Sequence, residues 1–266
     1  MLFKFLLLII TFQNIVCLRE SAVKRCARAA NSCLLASEAV EGPYYWNSTV
    51  RNDITENRPG IPLRLSITVV DIRSCLTIPN AVVDLWHCDG IGLYSHYIAA
   101  SQGQMNGPND NSTFFRGQQI TNSRGISIFN TIYPGWYRGR ATHMHVKVHI
   151  DASLSIMDGG AIYTKGGHVS HTGQFFFDDS LTDAVATVYP YTTQTIQRTL
   201  NDEDFIYRES NGATMIVPIR FLTNEFTGGM AGEITVGIDP TATPQPAGGG
   251  GGGPRPPGPP PGPPPS

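Results

Sequence analysis

The chain has 266 residues, with 19 Lys and Arg against 21 Asp and Glu, and 41% of its residues are hydrophobic. A formal net charge of −2 lacks the basic surplus that marks nucleic-acid binders and proteins held on anionic lipid. Once two compositionally biased ends are set aside, roughly 220 residues remain, enough for one sizeable core.

The chain starts "MLFKFLLLIITFQNIVCLRE". One lysine, an apolar run and then a charged segment predict a secretory signal peptide over residues 1–17. The run is too short and too poorly flanked to span a membrane, so the expected product is secreted and extracellular, with no membrane partner. Losing the leader removes Cys17 from the five cysteines and leaves Cys26, Cys33, Cys75 and Cys88. In an oxidising compartment four cysteines predict two disulfides, with all three connectivities open. Residues 20–38 carry a helical pattern, which would put Cys26 and Cys33 about 10 Å apart along the axis, beyond the reach of a bridge. On that reading the N-terminal segment is stapled to the region of Cys75 and Cys88. Sequons at Asn47 and Asn111 accord with export and predict a glycoprotein.

Further along, Gly, Pro and Asn punctuate short runs rich in Val, Ile, Thr and aromatics. Residues 63–72, 81–88, 126–132, 142–150, 173–178 and 232–238 read as strands. Helices are expected only over 20–38, 179–188 and 192–200. The pattern predicts a mostly β chain: an antiparallel β-sandwich with a short N-terminal helical segment and long loops. Its domain spans 18–240, and residues 241–266, rich in Gly and Pro, form a flexible and then extended tail. The polar stretch from about 100 to 115 is a long insertion of the kind that is either functional or mobile.

The chemistry concentrates in "PGWYRGRATHMHVKVHI", residues 134–150. On a strand, His143, His145, Lys147 and His149 share one face and Met144, Val146, Val148 and Ile150 the other. The second set is a core face, so the first points into solvent or into a site. His-x-His brings two imidazoles within reach of one metal ion. No glutamate follows at the spacing a cupin needs, and His168 and His171 only loosely suit a copper–zinc dismutase. A two-histidine, one-carboxylate ferrous site stays open.

Two turns present a phenol: "DGIGLYSHY" carries Tyr94 and "YPGWYRGR" carries Tyr137. Ionising a free phenol at pH 7 costs about 4 kcal/mol, and a hard, strongly Lewis-acidic ion such as Fe(III) is the one to offset two such costs.

The stretches "EGPYYWN", "RNDITENRPGIPLRL", "DLWHCDGIGLYS", "FFRGQQITNSRGISIFNTIYPGWYRGRATHMHVKV" and "HTGQFFFDD" resemble the intradiol ring-cleavage dioxygenases, in order over about residues 33–240. The likeness is strongest to secreted, single-chain eukaryotic members. It implies four ligands to a non-haem Fe(III): Tyr94, Tyr137, His143 and His145, with His145 opposite Tyr137. It implies Arg140 beside the substrate ring, Tyr137 and Gln174 as further catalytic groups, and Val40, Pro43 and Tyr44 at the pocket mouth. The implied partners are catechols and O2, the implied products cis,cis-muconates, and the implied state a monomer, because the long helical linkers of bacterial dimers are missing. His87 and His149 stay outside the ligand set. A secreted β-sandwich that binds catechols or iron without turnover is the alternative.

Overall fold

The computed structural model describes residues 33–157 and 159–245. The expected signal peptide, Cys26, most of the expected N-terminal helix and most of the Gly/Pro-rich stretch lie outside the described residues. Among the described residues ten strands form two four-stranded sheets and a hairpin. One sheet has the order β4-β1-β10-β9, with β1 Pro62–Asp71, β4 Ile126–Ile132, β9 Ile219–Phe221 and β10 Met230–Ile238. The other runs β3-β2-β5-β8, with β2 Val82–Trp86, β3 Arg116–Ile120, β5 His143–Ile150 and β8 His168–Phe176. The hairpin pairs β6 Ser153–Ile156 with β7 Ile162–Lys165. Among the described residues no helix is long and apolar enough to cross a membrane.

Alternation builds the layer between the sheets. Leu63, Leu65, Ile67 and Val69 of β1 meet Val83 and Leu85 of β2 and Met144, Val146 and Val148 of β5 in one buried cluster. Each such side chain contributes about 1.5–3 kcal/mol on leaving water. Among the ten described strands pairing is antiparallel except between β1 and β10, which run parallel from Leu63↔Met230 to Asp71↔Ile238. That departs from a purely antiparallel sheet: β10 closes the chain beside its first strand and is joined to it by the whole of the intervening chain. The short strands β3, β6, β7 and β9 had no sequence signal of their own.

Two helical expectations need correction. Residues 33–38 are not helical. Leu35 bridges Gly237, and the backbone N–H groups of Ala36 and Ala39 donate to Gly237 and Thr172, so sheet edges supply the partners that a helix would have supplied. Over 192–200 only the single turn Tyr191–Thr193 forms; Gln194 is extended, and three nearby threonines are poor helix formers. The helix expected at 179–188 is present as α2, Asp179–Val185, capped by the Asp178 carboxylate on the N–H groups of Ser180 and Leu181. It follows α1, Ile98–Ser101, in the polar insertion. That insertion is pinned, since Asp110 accepts from the N–H groups of His96, Ile98 and Ser112.

The disulfide joins Cys33 to Cys75, which staples the N-terminal segment to the β1–β2 turn. The expectation of a second disulfide in this region fails at Cys88, which is a buried free thiol donating to the Gly135 carbonyl at 3.5 Å.

From that staple, residues 33–54 run as a strap across the outer face of the second sheet. Glu38 accepts from His171 Nδ1 at 2.7 Å and from the Thr172 N–H at 3.0 Å, and Val50 bridges Gln118 on β3. Beneath the strap, Asp84 accepts from Tyr45 Oη, Ser48 Oγ and Gln118 Nε2 at 3.0–3.1 Å. Lys147 Nζ pairs with Glu41 at 2.6 Å and sits 3.5 Å from the Tyr45 ring centre. The outer face of β5 is therefore roofed, and His143, His145 and Lys147 are buried.

Candidate active site

At one end of this roofed face two turns and the start of β5 converge. Asp89 builds the first turn: its Oδ1 accepts from the N–H groups of Ile91 (3.0 Å) and Leu93 (2.9 Å), and Arg58 forms an ion pair with it. Gly92, at φ +86°, lies so close to the second turn that a Cβ would sit 2.3 Å from the Trp136 carbonyl oxygen. On the second turn, a Cβ at Gly135 would meet the Gly90 and Asp89 carbonyl oxygens at 2.5 and 2.6 Å. The two tyrosine-bearing turns thus pack backbone against backbone, which only glycine permits. Gln194 joins them: its Nε2 donates to the carbonyls of Ile91 (2.6 Å) and Trp136 (3.0 Å), while its Oε1 accepts from the Ile196 N–H.

Four donor atoms result. His143 Nε2 stands 3.1 Å from His145 Nε2 and 3.2 Å from Tyr137 Oη. His143 Nδ1 lies 2.6 Å from the Ala141 carbonyl. A carbonyl only accepts, so Nδ1 carries the proton and Nε2 is a bare lone pair facing the other donors. Tyr94 is fully buried, its Oη has no hydrogen-bond partner, and its ring centre lies 5.7 Å from that of Tyr137 and 6.1 Å from that of His145. Burial, then the Arg140 charge, holds both imidazoles well below the usual histidine range, so both are neutral and ligand-competent. Burial pushes Tyr94 well above the ordinary phenol value, with Tyr137 adding to the rise. It pushes Tyr137 up to about 12 against the pull of Arg140.

Among the described residues no group of three or more His, Cys, Asp and Glu is placed to hold a metal. A cation at this point would therefore have to draw on the phenols, and an orphaned buried hydroxyl beside a bare imidazole lone pair suits a hard trivalent ion. The donor set fits ferric iron. His87 has no part in it, since its two ring nitrogens are spent on the Cys88 carbonyl and Thr131 Oγ1, each at 2.7 Å.

Around the donors stand the other expected residues. Arg140 Nε donates to Asp204 Oδ2 at 2.9 Å and Nη2 to Gln174 Oε1 at 2.5 Å. Gln174 Nε2 donates to the Val40 carbonyl at 2.9 Å, so its amide is occupied by protein at both ends and ties Arg140 to the strap. Tyr44 stacks on Tyr94 at 4.7 Å and lies edge-on to Tyr137 at 6.4 Å; Pro43, beside it, is exposed. Gly42 brings the strap to the His145 ring, where a Cβ would lie 3.1 Å from Cε1.

Three residues that position the site escaped sequence reading. Arg116, almost wholly buried, donates from Nη1 to the Tyr44 carbonyl and from Nε and Nη2 to Ser95 Oγ and the Ser95 carbonyl, at 2.7–2.8 Å. It joins the strap to the turn after Tyr94. Gln194 and Asp204 are the others, and no local motif marks either. The turn geometry carries a direct test: Gly135→Ala should drive the two turns apart, lower the thermal midpoint by several degrees and leave a protein with reduced iron content. Unchanged melting and full iron loading would refute the backbone-to-backbone packing.

A family model described as Dioxygenase matches residues 40–154. An intradiol ring-cleavage dioxygenase from Tetranychus urticae is 30% identical over 80% of this chain and 98% of its own, with a TM-score of 0.69. The crystal structure of another dioxygenase is 31% identical over 80% of this chain and 97% of its own, with a TM-score of 0.68. A 3-chlorocatechol 1,2-dioxygenase from Rhodococcus opacus, 14% identical over 82% of this chain and 77% of its own with a TM-score of 0.51, shares the fold. Among curated proteins none matches the chain significantly.

Proposed function

Because the chain belongs to the intradiol ring-cleavage dioxygenases, we propose that it is a secreted ferric enzyme that opens catechols between the two hydroxyl-bearing carbons with O2, giving cis,cis-muconates. The observation that carries this reading is the convergence of Tyr137 Oη, His143 Nε2 and His145 Nε2 within 3.2 Å steps, beside the orphaned Tyr94 hydroxyl. Tyr94, Tyr137, His143 and His145 would hold the iron. When bound, ferric iron supplies a Lewis acid that draws electron density from a chelated catecholate and makes a ring carbon reactive toward O2.

The remaining work falls to the chain. Tyr137 is the less buried of the two phenols, so, once ionised by the metal, its Oη would be the group placed to accept a proton from an incoming catechol hydroxyl. Arg140 is held at Nε and Nη2, leaving Nη1 to stabilise negative charge developing on the substrate. Tyr44 closes one wall and keeps water from the ring. Gln174 orients Arg140. A mouth formed by exposed Pro43 and half-buried Tyr44, both uncharged, accords with varied neutral catechols and a detoxifying role. The Cys33–Cys75 bridge and the leader-like sequence support export, and the proposed state is a monomer.

The test is one preparation. Full-length protein is expressed, recovered from the culture medium and sequenced from its N-terminus. Iron is quantified, and the visible spectrum is recorded before and after anaerobic catechol. We expect a mature end near residue 18, a single sedimenting chain, about one iron per chain, a red tyrosinate band that shifts with catechol, and muconate on admitting air. A colourless protein after ferric reconstitution, or extradiol products, would overturn the reading.

A further inference from the structure

We propose that Asp204 is a positioning residue for ring cleavage, fixing the Arg140 guanidinium against the N-terminus of a short helix; this rests on the ferric dioxygenase reading above. Asp204 opens α3, Phe205–Glu209, and is fully buried. Its two oxygens accept four donors. Oδ1 takes the N–H groups of Ile206 (2.7 Å) and Tyr207 (3.3 Å), the usual work of an N-cap. Oδ2 takes Arg140 Nε at 2.9 Å and the Ala141 N–H at 2.8 Å. One carboxylate thus caps a helix, anchors the backbone between Arg140 and His143, and grips the guanidinium at Nε, next to the Nη2 that Gln174 holds.

The support beneath it is rigid. Asn201, at the start of the preceding turn, donates from Nδ2 to the Phe177 carbonyl at 2.8 Å and from its backbone N–H to Asp179 Oδ2 at 3.1 Å. The segment holding Asp204 is therefore fastened to the end of β8 and to α2. Arg140 has several rotatable bonds and follows Gly139, which sits at φ +79°, so nothing on its own turn fixes its direction. Asp204 and Gln174 fix it at two adjacent nitrogens, Nε and Nη2, and leave Nη1 as the free donor. An asparagine cannot substitute, because it places an N–H₂ group against donors at one of the two oxygen positions.

The experiment compares wild type, Asp204→Asn, Asp204→Ser, Arg140→Ala and the double variant Arg140→Ala/Asp204→Ser. For each, kcat and KM for catechol, the anaerobic catechol affinity from the visible titration, iron content and thermal midpoint are measured. Serine keeps a cap for α3 but cannot reach Arg140 and the cap together. Asp204→Ser is expected to hold full iron and bind catechol within about threefold of wild type, with kcat lower by about 10²-fold, the cost of a misplaced catalytic group. In the Arg140→Ala background the same change should cost less than about twofold, since its effect passes through Arg140. Asp204→Asn should behave like Asp204→Ser. An equal loss in both backgrounds, wild-type kcat in Asp204→Ser, or failure of both single variants to fold with iron would overturn the proposal. A wild-type protein without iron or turnover would instead count against the dioxygenase reading itself.

Discussion

His143→Ala protein is expected to fold, to retain less than a tenth of the wild-type iron and to lose at least about 10³-fold in ring cleavage, equivalent to about 4 kcal/mol of barrier. The expectation follows from how its ring is held. The Ala141 carbonyl fixes the proton on Nδ1, so Nε2 is committed as a lone pair, and it is the atom that stands within 3.2 Å of both His145 Nε2 and Tyr137 Oη. Alanine removes the middle of that arrangement. Its neighbours do not close the gap, because His145 is stacked flat on Trp86 at 4.9 Å and Tyr137 is borne on a turn locked by Gly135 and Gln194. With two buried phenols pushed above their ordinary range, a weakened site cannot readily keep both ionised. Iron by elemental analysis and turnover by oxygen uptake decide it. A stoichiometric iron content with turnover within tenfold of wild type would remove His143 from the ligand set.

The period of β5 made both faces of that strand legible. Met144, Val146, Val148 and Ile150 lie in the core as alternation requires, and His143 and His145 stand together on the other face. What alternation could not tell is that this second face is roofed. Alternation left Lys147 in solvent or in a site, and it is buried under the strap against Glu41 and Tyr45, partners about a hundred positions away. The same distance hid the positioning residues. Gln194 bridges two turns at Ile91 and Trp136, and Asp204 reaches back to Arg140; each sits in a stretch whose local pattern says only turn or helix start. Around 192–200 that local pattern misled outright, since Gln194 takes an extended conformation and spends its side chain on the two turns rather than on a helical surface. Cysteine counting erred for a related reason. Cys33 and Cys75 meet because the strap begins at the β1–β2 turn, whereas Cys88 is carried inward beside the tyrosines, and its burial keeps it out of any pairing that spacing could suggest.

The largest effect expected without loss of iron belongs to Arg140. Arg140→Ala should lower kcat by about 10²–10³-fold, the usual cost of removing one preorganised donor from developing charge, with the iron content and the visible band close to wild type. The fold should survive. Asp204 loses one of four donors but keeps three backbone N–H groups, so the cost to stability is about 1–3 kcal/mol. Arg140→Lys separates charge from shape. A lysine ammonium restores the positive charge but has no planar fork, so it cannot hold Asp204 and Gln174 through two adjacent fixed nitrogens while presenting a third donor to the ring. If direction matters more than charge, Arg140→Lys should recover less than about tenfold of the lost kcat, and its catechol affinity should stay near wild type because the metal site is intact. Recovery to within threefold of wild type would mean that the guanidinium acts through its charge alone, and the grip of Asp204 and Gln174 would then be incidental to the chemistry.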